Sequence, residues 1–187
     1  MNLLIKFAAT GAAMLAMSVV ANALSISPST PGVLSFGSTY GPSNCEPGCV
    51  ETVFGVTDPA LLYKRDHGSA SDVGLFAPSY TTTFLDTPDD PSGATISYVA
   101  NTSAIVCGGC YLAIKDGAAS PGYYFYDLSA WNGTETITLS NFWPQRGAIS
   151  HISIWGTPGT AVPEPATLGL LGLGLLATGF ARRKKSA

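Results

Sequence analysis

A charge-free apolar stretch runs from Ala166 to Ala181. It ends in Arg182-Arg183-Lys184-Lys185 and is preceded by Val162-Pro163-Glu164-Pro165. As a helix these sixteen residues rise roughly 24 Å, against a hydrocarbon core about 30 Å thick. The span is short but usable, because the basic side chains beyond it snorkel to the headgroups. The glycines alternating with leucine from Leu168 to Leu176 are tolerated in membrane helices, where they permit close packing. Four terminal positive charges have no place in a globular core. They hold the C-terminus on the cytoplasmic side, and Pro163 and Pro165 mark the junction with whatever lies outside.

The N-terminus fits the same topology. Met1 to Lys6 is a short n-region with one lysine, Phe7 to Val20 an apolar h-region, and Ala21-Asn22-Ala23 a small-x-small cleavage site. This pattern predicts a secretory signal peptide over residues 1–23, cut between Ala23 and Leu24. Three segments follow: the signal peptide, an ectodomain over 24–160, and a C-terminal tail over 161–187 holding one transmembrane helix.

Val162, Pro163, Glu164 and Pro165, the apolar span, and Arg182, Arg183, Lys184 and Lys185 together resemble the PEP-CTERM sorting signal of Gram-negative bacteria. The tail is also called an ice-binding protein C-terminal domain, a label that implies no ice activity. The resemblance implies recognition by an exosortase, a membrane cysteine transpeptidase, with cleavage near Pro163–Pro165. Glu164 is then read by another enzyme and has no catalytic role here. It also implies anchoring in the inner membrane before processing. Residence at the cell surface or in an extracellular matrix follows, in company with exopolysaccharide. The run from Tyr123 to Thr134, with Phe142-Trp143-Pro144 and Ile149 to Gly156, looks like the end of many PEP-CTERM ectodomains, which implies a shared fold and no particular reaction.

Between Leu24 and Ala161 four basic residues (Lys64, Arg65, Lys115, Arg146) stand against eleven acids, a formal charge of −7 that the −3 of the whole chain conceals. Such a surface disfavours nucleic acid, whose binding rests on neutralising phosphates. About 135 residues suffice for one domain with a real core.

Strand signals dominate this ectodomain. Tyr80 to Leu85 is rich in β-prone residues, and Thr95 to Val99 alternates. Thr134 to Ser140 places Ile137 and Leu139 on one face. Ser150 to Trp155 places Ile152 and Ile154 on one face and His151, Ser153 and Trp155 on the other, which is expected to meet solvent. Tyr111 to Lys115, Tyr123 to Leu128 and Leu61 to Lys64 are further strands. Turn clusters separate them at Asp89 to Gly93, Asp116-Gly117, Ser120 to Gly122 and Asn132-Gly133. Short strands at this spacing predict an all-β fold, an antiparallel β-sandwich or jelly roll. In it Ile137, Leu139, Ile152 and Ile154 are core residues of adjacent strands.

The four cysteines lie in Cys45-Glu46-Pro47-Gly48-Cys49 and Cys107-Gly108-Gly109-Cys110. Outside the cytoplasm an even count reads as disulfides. The local pairs Cys45–Cys49 and Cys107–Cys110 are favoured, because Pro47-Gly48 and Gly108-Gly109 are turn-forming. Pairing between the clusters is the runner-up. A four-cysteine zinc site has plausible spacing but the wrong compartment, and no βαβ unit supports a thioredoxin-type motif.

Catalytic signals are sparse. His67 and His151 are the only histidines, there is no Gly-x-Ser-x-Gly elbow, and no metal site is expected. Eleven acids leave room for a carboxylate pair, so a secreted hydrolase stands as the third reading. Asp86, Asp89 and Asp90 are the densest acids and the candidate calcium ligands. Trp155, Trp131 and Tyr124 are candidate sugar contacts by ring stacking. The leading expectation is a non-enzymatic exported protein, structural or adhesive, with a carbohydrate-binding module as the alternative.

Overall fold

A computed structural model of the chain describes residues 23–36, 44–86, 89–117, 119–144 and 147–158. The expected signal peptide, sorting motif, apolar span and basic flank lie outside these residues. Among the described residues no helix is long and apolar enough to cross a membrane.

Among the described residues nine strands and one short α-helix follow in the order β1 (Leu24–Ile26), β2 (Leu34–Phe36), α1 (Gly48–Phe54), β3 (Ala60–Asp66), β4 (Tyr80–Leu85), β5 (Gly93–Tyr98), β6 (Cys107–Lys115), β7 (Tyr123–Asp127), β8 (Ile137–Leu139) and β9 (His151–Pro158), with a 3-10 turn at Ala77–Ser79 before β4. They form a four-stranded sheet, β1-β8-β5-β4, and a five-stranded sheet, β2-β7-β6-β9-β3. The fold is all-β, as the alternation predicts. The five-stranded sheet is antiparallel throughout. The smaller one is mixed, because β1 runs parallel to β8, with Leu24 opposite Ile137 and Ile26 opposite Leu139.

The two sheets share one core. Ile26, Ile96, Ile137 and Leu139 from the smaller sheet pack in one cluster with Leu112, Ile114, Ile152 and Ile154 from the larger. All eight are at most 1% exposed. Ile137 and Leu139 therefore meet Ile152 and Ile154 across the core; they belong to facing sheets, and β8 and β9 are not neighbours as the sequence suggested. The outer face of the smaller sheet is hydroxyl-rich, with Ser25, Thr138, Thr95 and Thr83 in register across it, as alternation in a half-solvated sheet requires.

Two irregularities interrupt the larger sheet. In β3 the register shifts between Leu61 and Tyr63, a bulge that places both Leu62 and Tyr63 in the core. In β6 a shift lies between Cys107 and Cys110, so Cys107-Gly108-Gly109-Cys110 is a strand bulge and not the turn expected from its glycines. Opposite it, Gly156 passes so close to the Gly109 carbonyl that any side chain would collide with backbone. Both cysteine pairs are local: Cys45 bonds Cys49 and Cys107 bonds Cys110.

Candidate functional site

The outer face of the five-stranded sheet is built in rows by strand register. Directly paired residues share a face, which aligns Tyr123, Lys115, His151 and Asp66 in one row. The next holds Phe125, Ala113, Ser153 and Lys64, and a third holds Asp127, Tyr111, Trp155 and Leu61. The sequence suggested that this face meets solvent. Instead α1 and the disulfide loop before it lie across it. Cys49 and Val50 form a second cluster with Ala113, Tyr123, Phe125 and Trp155, with Cys45, Val53, Phe54, Leu61 and Tyr111 packed against it. Phe54 stacks on Tyr111 with ring centroids 4.2 Å apart. The helix closes with Gly55 in the left-handed conformation, its N–H donating to the Glu51 carbonyl at 2.8 Å.

Glu46, inside the Cys45–Cys49 loop, points down into this face. Its side chain is 4% exposed, as is that of His151. Glu46 Oε2 lies 2.7 Å from His151 Nε2. Oε1 accepts from the Ser153 hydroxyl and from Trp155 Nε1 at 3.4 Å, while Trp155 Nε1 also donates to Ser153 Oγ at 2.9 Å. An ionised carboxylate only accepts, so the proton of this bond sits on His151 Nε2. On the other side of the ring His151 Nδ1 is 3.6 Å from Asp66 Oδ1, which also pairs with Lys64 Nζ at 3.3 Å. The Cys45 backbone N–H donates to the Tyr123 hydroxyl at 3.2 Å, fixing the start of the loop.

Burial alone would raise the Glu46 carboxyl. The hydrogen bond and charge of His151, the Ser153 hydroxyl and the charge of Lys64 outweigh it and hold Glu46 below the ordinary carboxylate value. The same enclosure pushes Tyr123 up to about 12, with the nearby Glu46 charge adding to the effect of burial.

Serine, histidine and glutamate thus converge, but not as a catalytic relay. A nucleophile needs its base within hydrogen-bond reach. Here His151 bonds Glu46 Oε2 while Ser153 bonds Oε1, and the group is roofed by α1. What it does is mechanical: it satisfies three buried donors and pins the loop to the sheet.

The residues singled out from sequence fall elsewhere. Trp155 and Trp131 are 9% and 4% exposed and offer no free face to a sugar. Trp155 lies under α1, and Trp131 packs on Tyr80 at 5.7 Å while its Nε1 donates to the Glu135 carbonyl at 2.9 Å. Tyr124 is half-buried against Phe142 and Trp143. Asp86 accepts from Ser92 Oγ at 2.7 Å, and among the described residues no three acidic, histidine or cysteine side chains converge as metal ligands. Asp86, Asp89 and Asp90 therefore do not form the calcium set their spacing suggested. Glu46 went unread because its partner His151 is 105 residues away; only its place between a cysteine and a proline marked it.

Two clefts open elsewhere on the surface. One, of about 380 Å³, lies beside the β6 bulge against Tyr111, Pro59 and Pro158. The other, of about 470 Å³, lies at the rim between β3 and β4. Neither reaches Glu46.

No curated protein and no solved structure matches the chain. A family model does, the PEP-CTERM protein-sorting motif, over residues 161–185. The match begins three residues after β9 ends at Pro158, so the β domain runs almost directly into the signal. The chain is therefore a protein with a PEP-CTERM sorting motif, one that is exported and directed to an exosortase.

Proposed function

We infer that the protein is a non-enzymatic component of the cell surface or extracellular matrix of a Gram-negative bacterium, structural or adhesive in role. In this reading residues 1–23 direct export, and 166–181 hold the precursor in the inner membrane with Arg182 to Lys185 in the cytoplasm. An exosortase cuts near Pro163–Pro165 and releases the domain to a matrix that contains exopolysaccharide. The observation that carries the reading is the sorting motif at 161–185, set immediately behind a β domain. Two disulfides in that domain suit an oxidising compartment. The polar residues buried beneath α1 are spent on holding a loop to the sheet.

Intact-mass measurement on protein recovered from a native host tests this. The expected product begins at Leu24 and ends near Pro163–Pro165. Recovery of a full-length C-terminus from the cell surface would replace sorting with a simple tail anchor.

A further inference from the structure

We propose that the free edge of β4 pairs with the β4 edge of a second copy of the chain, joining two of the smaller sheets into one. This stands apart from the sorting of the chain: either reading can fail without the other.

A sheet edge presents unpaired backbone groups that another strand can take up. Folded proteins blunt such edges with short strands, charged side chains or covering segments. Three of the four edge strands here are treated so. β1 and β2 are three residues each. β3 carries Lys64, Arg65 and Asp66, and residues 73–76 lie along it. Lys64 and Val73 exchange backbone bonds at 2.8 and 3.0 Å, and the Leu75 and Phe76 N–H groups donate to the Leu61 and Leu62 carbonyls at 3.1 and 2.8 Å. β4 has none of these devices. It reads Tyr80-Thr81-Thr82-Thr83-Phe84-Leu85, six residues with no charge and no proline. Among the described residues it pairs with β5 alone.

The ladder fixes which groups face outward. The Val99 N–H donates to the Ser79 carbonyl at 2.9 Å, one pair before Tyr80 and Tyr98. Hydrogen-bonded and non-hydrogen-bonded pairs alternate along an antiparallel ladder. Thr81, Thr83 and Leu85 therefore bond to β5, while the N–H and C=O of Tyr80, Thr82 and Phe84 point away from it. Among the described residues no other segment takes them up.

Exposed apolar side chains gather on the same flank. Among the described residues the large ones are Leu34, Val73, Leu75, Leu85 and Val106. Leu85 ends β4, and Val73 and Leu75 border β3 on the side where the Tyr63 hydroxyl spans to Thr82 Oγ1 at 2.7 Å. Leu75 is 64% exposed. Unpaired backbone beside apolar side chains is the surface that takes an added strand.

The strand is complementary to itself. In an antiparallel register centred on Thr82, Tyr80 faces Phe84 and Thr82 faces Thr82. Every outward group then meets an outward group, and like faces stay together. A shift to one side opposes Phe84 to Pro78, which has no N–H and lies in the 3-10 turn. A shift to the other opposes Tyr80 to Asp86, whose φ of +85 lies outside the strand region. The centred register also sets Thr81 opposite Thr83, so the hydroxyl row of Ser25, Thr138, Thr95 and Thr83 continues across the join. The result is a two-fold, isologous contact.

The full chain in detergent micelles is examined by sedimentation equilibrium, and a reversible dimer is expected. Thr81→Lys with Thr83→Lys alters two exposed side chains and sets like charges opposite one another across the join. It is expected to weaken the dimer by about tenfold or more with the circular dichroism spectrum unchanged. Association through the tail is common to both proteins and does not respond to these changes. Register is read by cross-linking. Thr81 and Thr83 of the two copies stand about 4.5 Å apart between Cα atoms, within disulfide reach. Thr81→Cys and Thr83→Cys proteins, oxidised as a mixture, are expected to link to each other, and neither to itself. Should the lysine variant fail to fold, the cross-link decides alone. The proposal is overturned if the full chain stays monomeric, if the folded lysine variant associates as tightly as the wild type, or if the mixed cysteines link no better than either alone.

Discussion

The two faces of the five-stranded sheet are held by different physics. The inner face is apolar side chain on apolar side chain: Leu112, Ile114, Ile152 and Ile154 against the opposite sheet. Its stability comes from area removed from water, about 25 cal/mol per Å², and tolerates conservative change. The outer face is roofed by a single seven-residue helix, too short to persist unaided. Beneath it a buried carboxylate joins histidine, serine and tryptophan. Hydrophobic contact fixes neither the position nor the angle of so small an element. A set of directional bonds does both, and the disulfide loop holds the carboxylate in place. One face of the sheet is stabilised in bulk, the other is positioned by a few specific groups.

The largest effect separating them is expected from Ile152→Asp. It places an unpaired charge in the shared core, at a cost of several kcal/mol against a total stability of about 5–15. Circular dichroism should find no cooperative unfolding. Next comes the outer face. Ser153→Asp sets a second carboxylate against Glu46 in a closed site and should destabilise strongly. Glu46→Ala leaves His151, Ser153 and Trp155 without their common acceptor, and breaking such a buried pair costs about 3–5 kcal/mol. Denaturant unfolding measures both. If Glu46→Ala cost less than about 1 kcal/mol, the directional account of the outer face would be wrong.

A smaller effect is expected from Cys45→Ser with Cys49→Ser. The bridge closes a loop only four residues apart in sequence, and the chain-entropy model gives about 2 kcal/mol for one so short. Hydrogen exchange should speed in α1 and hardly at all in Ile114 or Ile152. Uniform acceleration across both faces would mean that the loop supports the whole fold.

The inner face was legible because its alternation survives intact in β5, β8 and β9. Ile137, Leu139, Ile152 and Ile154 all lie in the core at 0% exposure. The strand expected at Leu61 to Lys64 is longer, Ala60–Asp66, and its ends were hidden because the bulge sends consecutive Leu62 and Tyr63 inward and breaks the period of two. β1 and β2 are three residues each, below the length at which a pattern repeats. The glycines of Cys107-Gly108-Gly109-Cys110 suggested a turn, but the segment is a strand bulge, and the glycine that close approach requires there is Gly156 of β9, where a Cβ would strike the Gly109 carbonyl. The outer face escaped altogether: period-two alternation marks a second face, and nothing local says whether solvent or another element covers it. The local disulfides were legible from spacing, since cysteines four and three residues apart lie within reach of each other.

Proton linkage isolates Glu46 most directly. Its folded value lies below the ordinary 4.5, so it contributes stability that is present above about pH 4.5 and lost as pH falls through the folded value. Tyr80 and Tyr123, both pushed up to about 12 from 10.0, act in the opposite sense. Their contribution is present below pH 10 and lost as pH rises through about 12, so they leave the acid limb untouched. The deciding measurement is unfolding free energy from pH 7 to pH 3 for the wild type and Glu46→Gln, taken as a difference so that the other carboxylates cancel. The difference should be constant near neutrality and shrink toward zero or below as pH drops under 4.5. Parallel curves over the whole range would contradict the claim that an ionised Glu46 clamps the outer face.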